Sequence, residues 1–383
     1  METGGRHISS DYTATLSAAL RMARFPMIIG IIVIHSFLPL EVGREAMPAA
    51  AYGSMYVGSE IISRICVPLF FAISGFLFFY RKERIDAEFF RTQWKKRVRT
   101  LLVPYILWNI LAFLFLLFKT WPPVARFFPG MEGVDLSLGK FLLSFWDFAY
   151  TDALRELDFF DPVHGPVDFP LWFICDLIIL CLASPLIYWL VRTTRWVFPT
   201  LLAVCFVGGW WPGYCPGFSI TGVLFFTAGC YFAIEKKNPL ALLWGRYGAA
   251  RATSWLTGAY VLLVAADLLT LGNGDANIHI HAVGILIGVC WFFSLLGLLS
   301  SRGRSVPSFL TASSFFVYAF HGMVSSMVCK VSVSFFHPGG TALWIVAYLS
   351  AVLLLTGVSL GMFALCRKVL PRVTAVLTGG RSE

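Results

Sequence analysis

The chain has 383 residues, 58% of them hydrophobic and only 13% charged, with a formal net charge of +9. A soluble domain carries about a quarter charged residues, so the composition excludes one and predicts a polytopic membrane protein. In such a chain basic loops report topology rather than nucleic acid. None of the nine cysteines forms a CxxC pair or a Cys/His cluster, which argues against a zinc site or a disulfide framework and for small buried hydrophobes.

The first twenty or so residues are mixed and polar, without a signal-peptide pattern. Ten apolar segments follow, at about 20–40, 54–80, 101–119, 169–191, 196–213, 218–235, 252–271, 279–300, 308–333 and 342–366. Each is near the ~20 residues that a bilayer requires. The fifth is short and broken by "GGWWPG", so it either crosses or dips. With the N-terminus in the cytoplasm and alternating loops, 23 of the 30 basic residues fall on the cytoplasmic side, which favours an even number of crossings. The predicted fold is therefore all-α, a multi-pass protein of about ten transmembrane helices with both termini cytoplasmic. Residues 1–19 form a cytoplasmic segment, 20–366 the membrane domain, and 367–383 a cytoplasmic tail. One long outer connection, about 120–168, carries Glu132, Asp135, Asp147, Asp152, Glu156, Asp158, Asp161 and Asp168. It is either a solvated acidic loop or a substrate-facing cap. No repeat of 20–50 residues and no inverted repeat is evident.

The first segment contains "RFPMIIGIIVIH", with Arg24 and His35 eleven residues apart. At ~100° and ~1.5 Å per residue they share one helix face, about 16 Å apart along the axis. Arg24 at a cytoplasmic helix end can simply snorkel to headgroups. A histidine well inside a spanning segment is costly unless it faces a cavity or a partner. The ninth segment, "SSFFVYAFHGMV", carries His321 at a similar depth, so the two histidines can meet in one interior cavity. Imidazole exchanges protons near neutrality, and guanidinium matches phosphate or carboxylate. The pair suits a long, thin ligand with phosphates at one end, a description that acetyl-coenzyme A meets.

Other charged residues have bland readings beside functional ones. Lys95, Lys96, Arg97 and Arg99 either attract anionic lipid or bind coenzyme phosphates. Ser74 and Gly75 allow close approach of a ligand or of another helix. Glu60 and Arg64 are spaced as a helical ion pair and can neutralise each other. Asp176 and Asp267 fall near outer helix ends, and His279 and His281 flank the eighth segment without partners at metal-ligand spacing.

These residues resemble the membrane acyltransferase-3 family, the integral-membrane O-acyltransferases of bacterial surface glycans. The likeness rests on "RFPMIIGIIVIHSF", "VPLFFAISGFLFFYRK", "KKRVRTLLVPYILWN", "LWFICDLIILCLASPLI" and "ASSFFVYAFHGMV". Cys175 before Asp176 departs from a position where a basic residue is frequent in the family. The resemblance implies a ten-helix acyltransferase of the bacterial inner membrane with acyl-coenzyme A as donor substrate and no permanently bound cofactor. It implies His35 as the catalytic residue and Arg24 as its partner. The expected site is His35, Arg24 and His321 for catalysis, with Arg24, Arg97, Arg99 and Ser74 toward the coenzyme. His321, Tyr318 or Ser314 would donate to the oxyanion. The acceptor would be a glycan or lipid-linked saccharide hydroxyl. The competing class is a transporter or flippase that uses buried histidine and arginine as a relay.

Overall fold

The structure, a computed structural model, describes residues 3–125, 137–147, 165–211 and 217–381, with side chains from residue 13 onward. Most of the outer connection, including Glu132, Asp135, Asp152, Glu156, Asp158 and Asp161, lies outside the described residues. Among the described residues every regular element is helical and no strand occurs, as the composition requires.

The principal helices, leaving aside five short ones, are α1 (Thr3–Met22), α2 (Arg24–His35), α3 (Cys66–Phe79), α4 (Ala87–Arg97), α5 (Val103–Thr120), α6 (Trp172–Leu182), α7 (Ser184–Thr194), α8 (Val197–Gly208), α9 (Ile220–Ile234), α10 (Ala249–Thr270), α11 (Gly274–Ser301), α12 (Ser308–Phe336), α13 (Thr341–Val369) and α14 (Pro371–Leu377). All ten apolar segments are helical, but not as ten equal rods. Among the described residues seven continuous stretches are long and apolar enough to cross a membrane, and α6 with α7 makes an eighth if the bent pair is one span. The helices α8 and α9 have 12 and 15 residues. At ~1.5 Å per residue they reach about 18 and 22 Å, short of the ~30 Å hydrocarbon layer.

The bend has a local cause. The chain turns by 65° between α6 and α7, where Pro185 cannot donate to the carbonyl of Cys181. That carbonyl instead accepts from Ser184 Oγ at 2.7 Å and from Trp94 Nε1 at 2.8 Å. The indole thereby ties α4 to the bend. In lipid an orphaned carbonyl costs several kcal/mol, so the break persists only with such substitutes.

The closest helix contact joins α3 to α9. A Cβ on Gly75 would lie 2.1 Å from the Phe226 carbonyl oxygen, and one on Gly229 would lie 2.0 Å from that of Ala72. Backbone meets backbone there, flanked by the fully buried rings of Phe71, Phe78, Phe79 and Phe226. Gly75 thus serves helix packing, the second of its two readings. Asp176 is not interfacial. It is fully buried and accepts from Gly217 N at 2.8 Å, from Ser219 N at 3.1 Å and from Ser219 Oγ. Ser219 Oγ in turn accepts from Gly222 N at 3.0 Å, so the carboxylate braces the start of α9. Asp267 is also buried, paired with His281 Nδ1 at 2.7 Å and held by Asn277 Nδ2 at 2.8 Å.

The α3–α9 contact predicts a position-dependent response to a single methyl group. Gly229→Ala should lower stability by about 1–3 kcal/mol through overpacking, whereas Gly357→Ala, with open space around it, should change it little. Thermal unfolding of both variants in detergent measures this, and equal effects would exclude a backbone contact at Gly229.

Candidate active site

Three elements converge on His35, the last residue of α2. On one side lies α12. On another the chain departs from α-helix through a π-helical turn at Val57–Ile62 and a 3₁₀ turn at Ser63–Ile65, the kind of irregularity that is frequent at functional sites. Ser59 Oγ ties this turn to the Val33 carbonyl at 2.8 Å and contacts the Tyr348 hydroxyl, also at 2.8 Å. The third element is the entry to α6, where Phe169 stands edge-on to the His35 ring at 6.4 Å.

His321 is brought to His35 as expected. The ring centroids are 5.2 Å apart and the planes tilted by 50°. His321 is fully buried, and its Nδ1 lies 3.2 Å from the Val317 carbonyl oxygen. A carbonyl only accepts, so this contact puts the proton on Nδ1 and leaves Nε2 as a lone pair. Nε2 is buried and has no hydrogen-bond partner among the described residues.

His35 lines a cavity of about 50 Å³ together with Arg64, Thr221 and Tyr318. The space accommodates a few waters or a small group, and the expected oxyanion donors have other partners in this structure. Tyr318 donates its hydroxyl to the Pro170 carbonyl, Ser314 Oγ donates to the Leu310 carbonyl at 3.0 Å, and the His321 proton is held by Val317. The wall also carries Trp172, Thr221 and Arg64, whose guanidinium pairs with Glu60. Spacing on one helix revealed the ion pair. It could not reveal that the guanidinium faces the histidine across the turn.

Asp168 is the second residue that sequence reading missed. Grouped there with the outer-loop acids, it is 2% exposed, and neither carboxylate oxygen has a partner among the described residues. Its backbone N–H donates to Asn109 Oδ1 at 3.2 Å. A Cβ on Gly322 would come within 2.7 Å of its Oδ1, so the carboxylate lies against α12 one residue beyond His321. The available signal was its position directly before "FPLWF", where a chain re-enters the apolar layer.

A second cavity, of about 310 Å³, opens at the other end of α2. Arg21, Arg24 and Arg304 line it, residues that loop alternation assigns to one side of the membrane. Arg97 is partly buried with its Cζ 5.6 Å from the Phe78 ring, and its Nε has no partner among the described residues. Arg99 and Ser74 line neither cavity. The two cavities share no lining residue. Between Arg24 and His35 the side chains of Met27, Ile28 and Ile32 are at most 3% exposed. The way from Arg24 to His35 is therefore closed here by packed aliphatic side chains.

Residues 17–363 match the family described as "Acyltransferase domain". The chain is also 26% identical over 384 residues to the succinoglycan biosynthesis protein ExoH of Rhizobium meliloti (strain 1021), covering 96% of this chain and 94% of the relative. No solved structure matches it.

The hydroxyl of Tyr318 predicts a structural role for that residue. Tyr318→Phe should leave the Pro170 carbonyl unsatisfied and cost about 1–3 kcal/mol, read as a lower unfolding temperature of a protein that still elutes as the wild type does. An unchanged unfolding temperature would show that the bond anchors nothing.

Proposed function

The chain belongs to the acyltransferase-3 family, and on that premise we propose that it transfers an acyl group from acyl-coenzyme A to a hydroxyl of a cell-surface glycan or its lipid-linked precursor, in a bacterial inner membrane. Membership makes it an integral-membrane acyltransferase rather than a transporter or flippase. The observation that carries the finer reading is the His35–His321 contact beside a small polar-walled cavity, three helical turns from a cavity lined by arginines. A glycan acceptor is supported by the relative, whose name places it in succinoglycan biosynthesis.

His35 is the general base. Its outer ring nitrogen takes the acceptor's hydroxyl proton as that oxygen attacks the thioester carbonyl. The carbonyl oxygen gains the negative charge, and Arg64 and Thr221 are the wall donors that stabilise it. Collapse of the tetrahedral intermediate breaks the carbon–sulfur bond. The thiolate leaves and recovers the proton from His35. The lone pair on His321 Nε2 is suited to accept an N–H from His35, orienting the imidazole as a carboxylate does in a triad. His321 is then a positioning residue. At the basic end Arg24 and Arg97 hold the coenzyme's phosphates, and the slender pantetheine arm parts the aliphatic side chains of α2 to reach His35. A cavity of about 50 Å³ favours a short acyl group such as acetyl over a fatty chain.

Purified protein in lipid nanodiscs, given labelled acetyl-coenzyme A and a saccharide acceptor, should release free coenzyme A. His35→Ala should lower that rate by at least ~10²-fold, the scale of positioned proton transfer, without changing elution or unfolding. Arg24→Ala should act mainly by raising KM. Intact turnover by His35→Ala would sink the mechanism.

A further inference from the structure

The basic cavity contains a residue far from the others in sequence. α14 is docked on α5 by Trp108 Nε1, which donates to the Leu377 carbonyl at 3.0 Å, and Thr374 and Leu377 are buried. The chain then turns back through Gly379 and Gly380, with φ of 61° and 77°. Two successive left-handed residues are readily adopted only by glycine. At Gly379 a Cβ would also fall 2.6 Å from the Thr100 carbonyl oxygen. This turn returns Arg381 to α12. Its Cζ stands 4.7 Å from the Phe315 ring, and its Nη1 donates to the Thr378 carbonyl at 3.3 Å. There Arg381 joins Arg21, Arg24 and Arg304 in lining the cavity of about 310 Å³.

None of these arginines, nor Arg97, forms an ion pair among the described residues. Burial, together with the guanidiniums of Arg97 and Arg24, holds Arg381 down to about 10. Like charges gathered around one cavity repel one another, and lipid snorkelling does not require the glycine turn that brings Arg381 to them. A multiply charged anion offsets the repulsion, and the planar fork of arginine matches phosphate oxygens.

We propose that Arg381 is a phosphate-binding residue, one arm of a site that takes an oligophosphate ligand between α1, α2, α12 and the segment after α14. Only the ligand's identity as a coenzyme A donor rests on the function proposed above. The chemistry recognised is phosphate, and an anionic lipid headgroup presents the same chemistry.

The test uses the full chain in nanodiscs of phosphatidylcholine, titrated calorimetrically with adenosine 3′,5′-bisphosphate and with inorganic pyrophosphate. Arg381→Ala should weaken binding by about tenfold, Arg381→Lys by less, since one charge-assisted bond is at stake. Arg367→Ala, an exposed arginine outside the cavity, should bind within about twofold of wild type. Repeating the titration with phosphatidylglycerol separates the sources: undiminished binding supports a soluble ligand, and competition supports a headgroup in the same site. In turnover Arg381→Ala should raise KM for acetyl-coenzyme A with kcat little changed. The inference falls if Arg381→Ala binds as wild type does, or if wild type binds neither probe. Normal thioester turnover with an unchanged KM in Arg381→Ala leaves the acyltransfer reading standing and removes this one. Arg381-dependent pyrophosphate binding without thioester consumption does the reverse.

Discussion

An imidazole buried in a helix bundle that spans lipid has to find a polar neighbour, because hydrocarbon offers none. The fully buried His321 lies against His35 at a ring separation of 5.2 Å. The contact pairs α2 with α12. The same stretch of α12 supplies the Tyr318 hydroxyl that fixes the Pro170 carbonyl, and the glycine at 322 that admits Asp168. The histidine pair, the entry to α6 and the widened turn at 57–65 therefore form one unit. A shift of α12 along its axis would disturb all of them together.

The departures from regular helix each have their compensation. The carbonyl freed by Pro185 is taken by Ser184 and Trp94. The start of α9 is held by the Asp176 carboxylate through Gly217 and Ser219. The π-helical turn is pinned by Ser59 to α2 and α13. Irregular backbone at membrane depth is tolerated where protein groups satisfy it. Here that irregularity brings Arg64 from α3's leading turns and Thr221 from α9 to the same small cavity as His35.

Charge is separated along α2. One end meets arginines without carboxylate partners among the described residues, and the other meets histidines beside the paired charges of Arg64 and Glu60. A ligand with a polyanionic head and a neutral reactive tip matches that gradient in both sign and length. The packed aliphatic turn between the two ends, with Met27, Ile28 and Ile32 buried, keeps the two environments apart.

Much of this was legible in the residues themselves. Helical rise and turn alone put Arg24 and His35 on one face, and the cost of burying an imidazole marked His35 and His321 as functional candidates. Hydropathy likewise determined the all-helical, multi-pass class. The count of crossings was not legible in the same way, since an apolar run does not report a 65° bend or a helix that stops after 12 residues. The surroundings of Asp176, Asp168 and Arg381 were misread or passed over for one reason. They are built by residues distant in the chain, and Arg381 lies more than 350 residues beyond Arg24. One-dimensional signals, periodicity and solvation cost, state which side chains must be satisfied. Which groups satisfy them is settled by helix packing, through contacts as close as Gly75 against Phe226 and Gly229 against Ala72, which no single segment encodes.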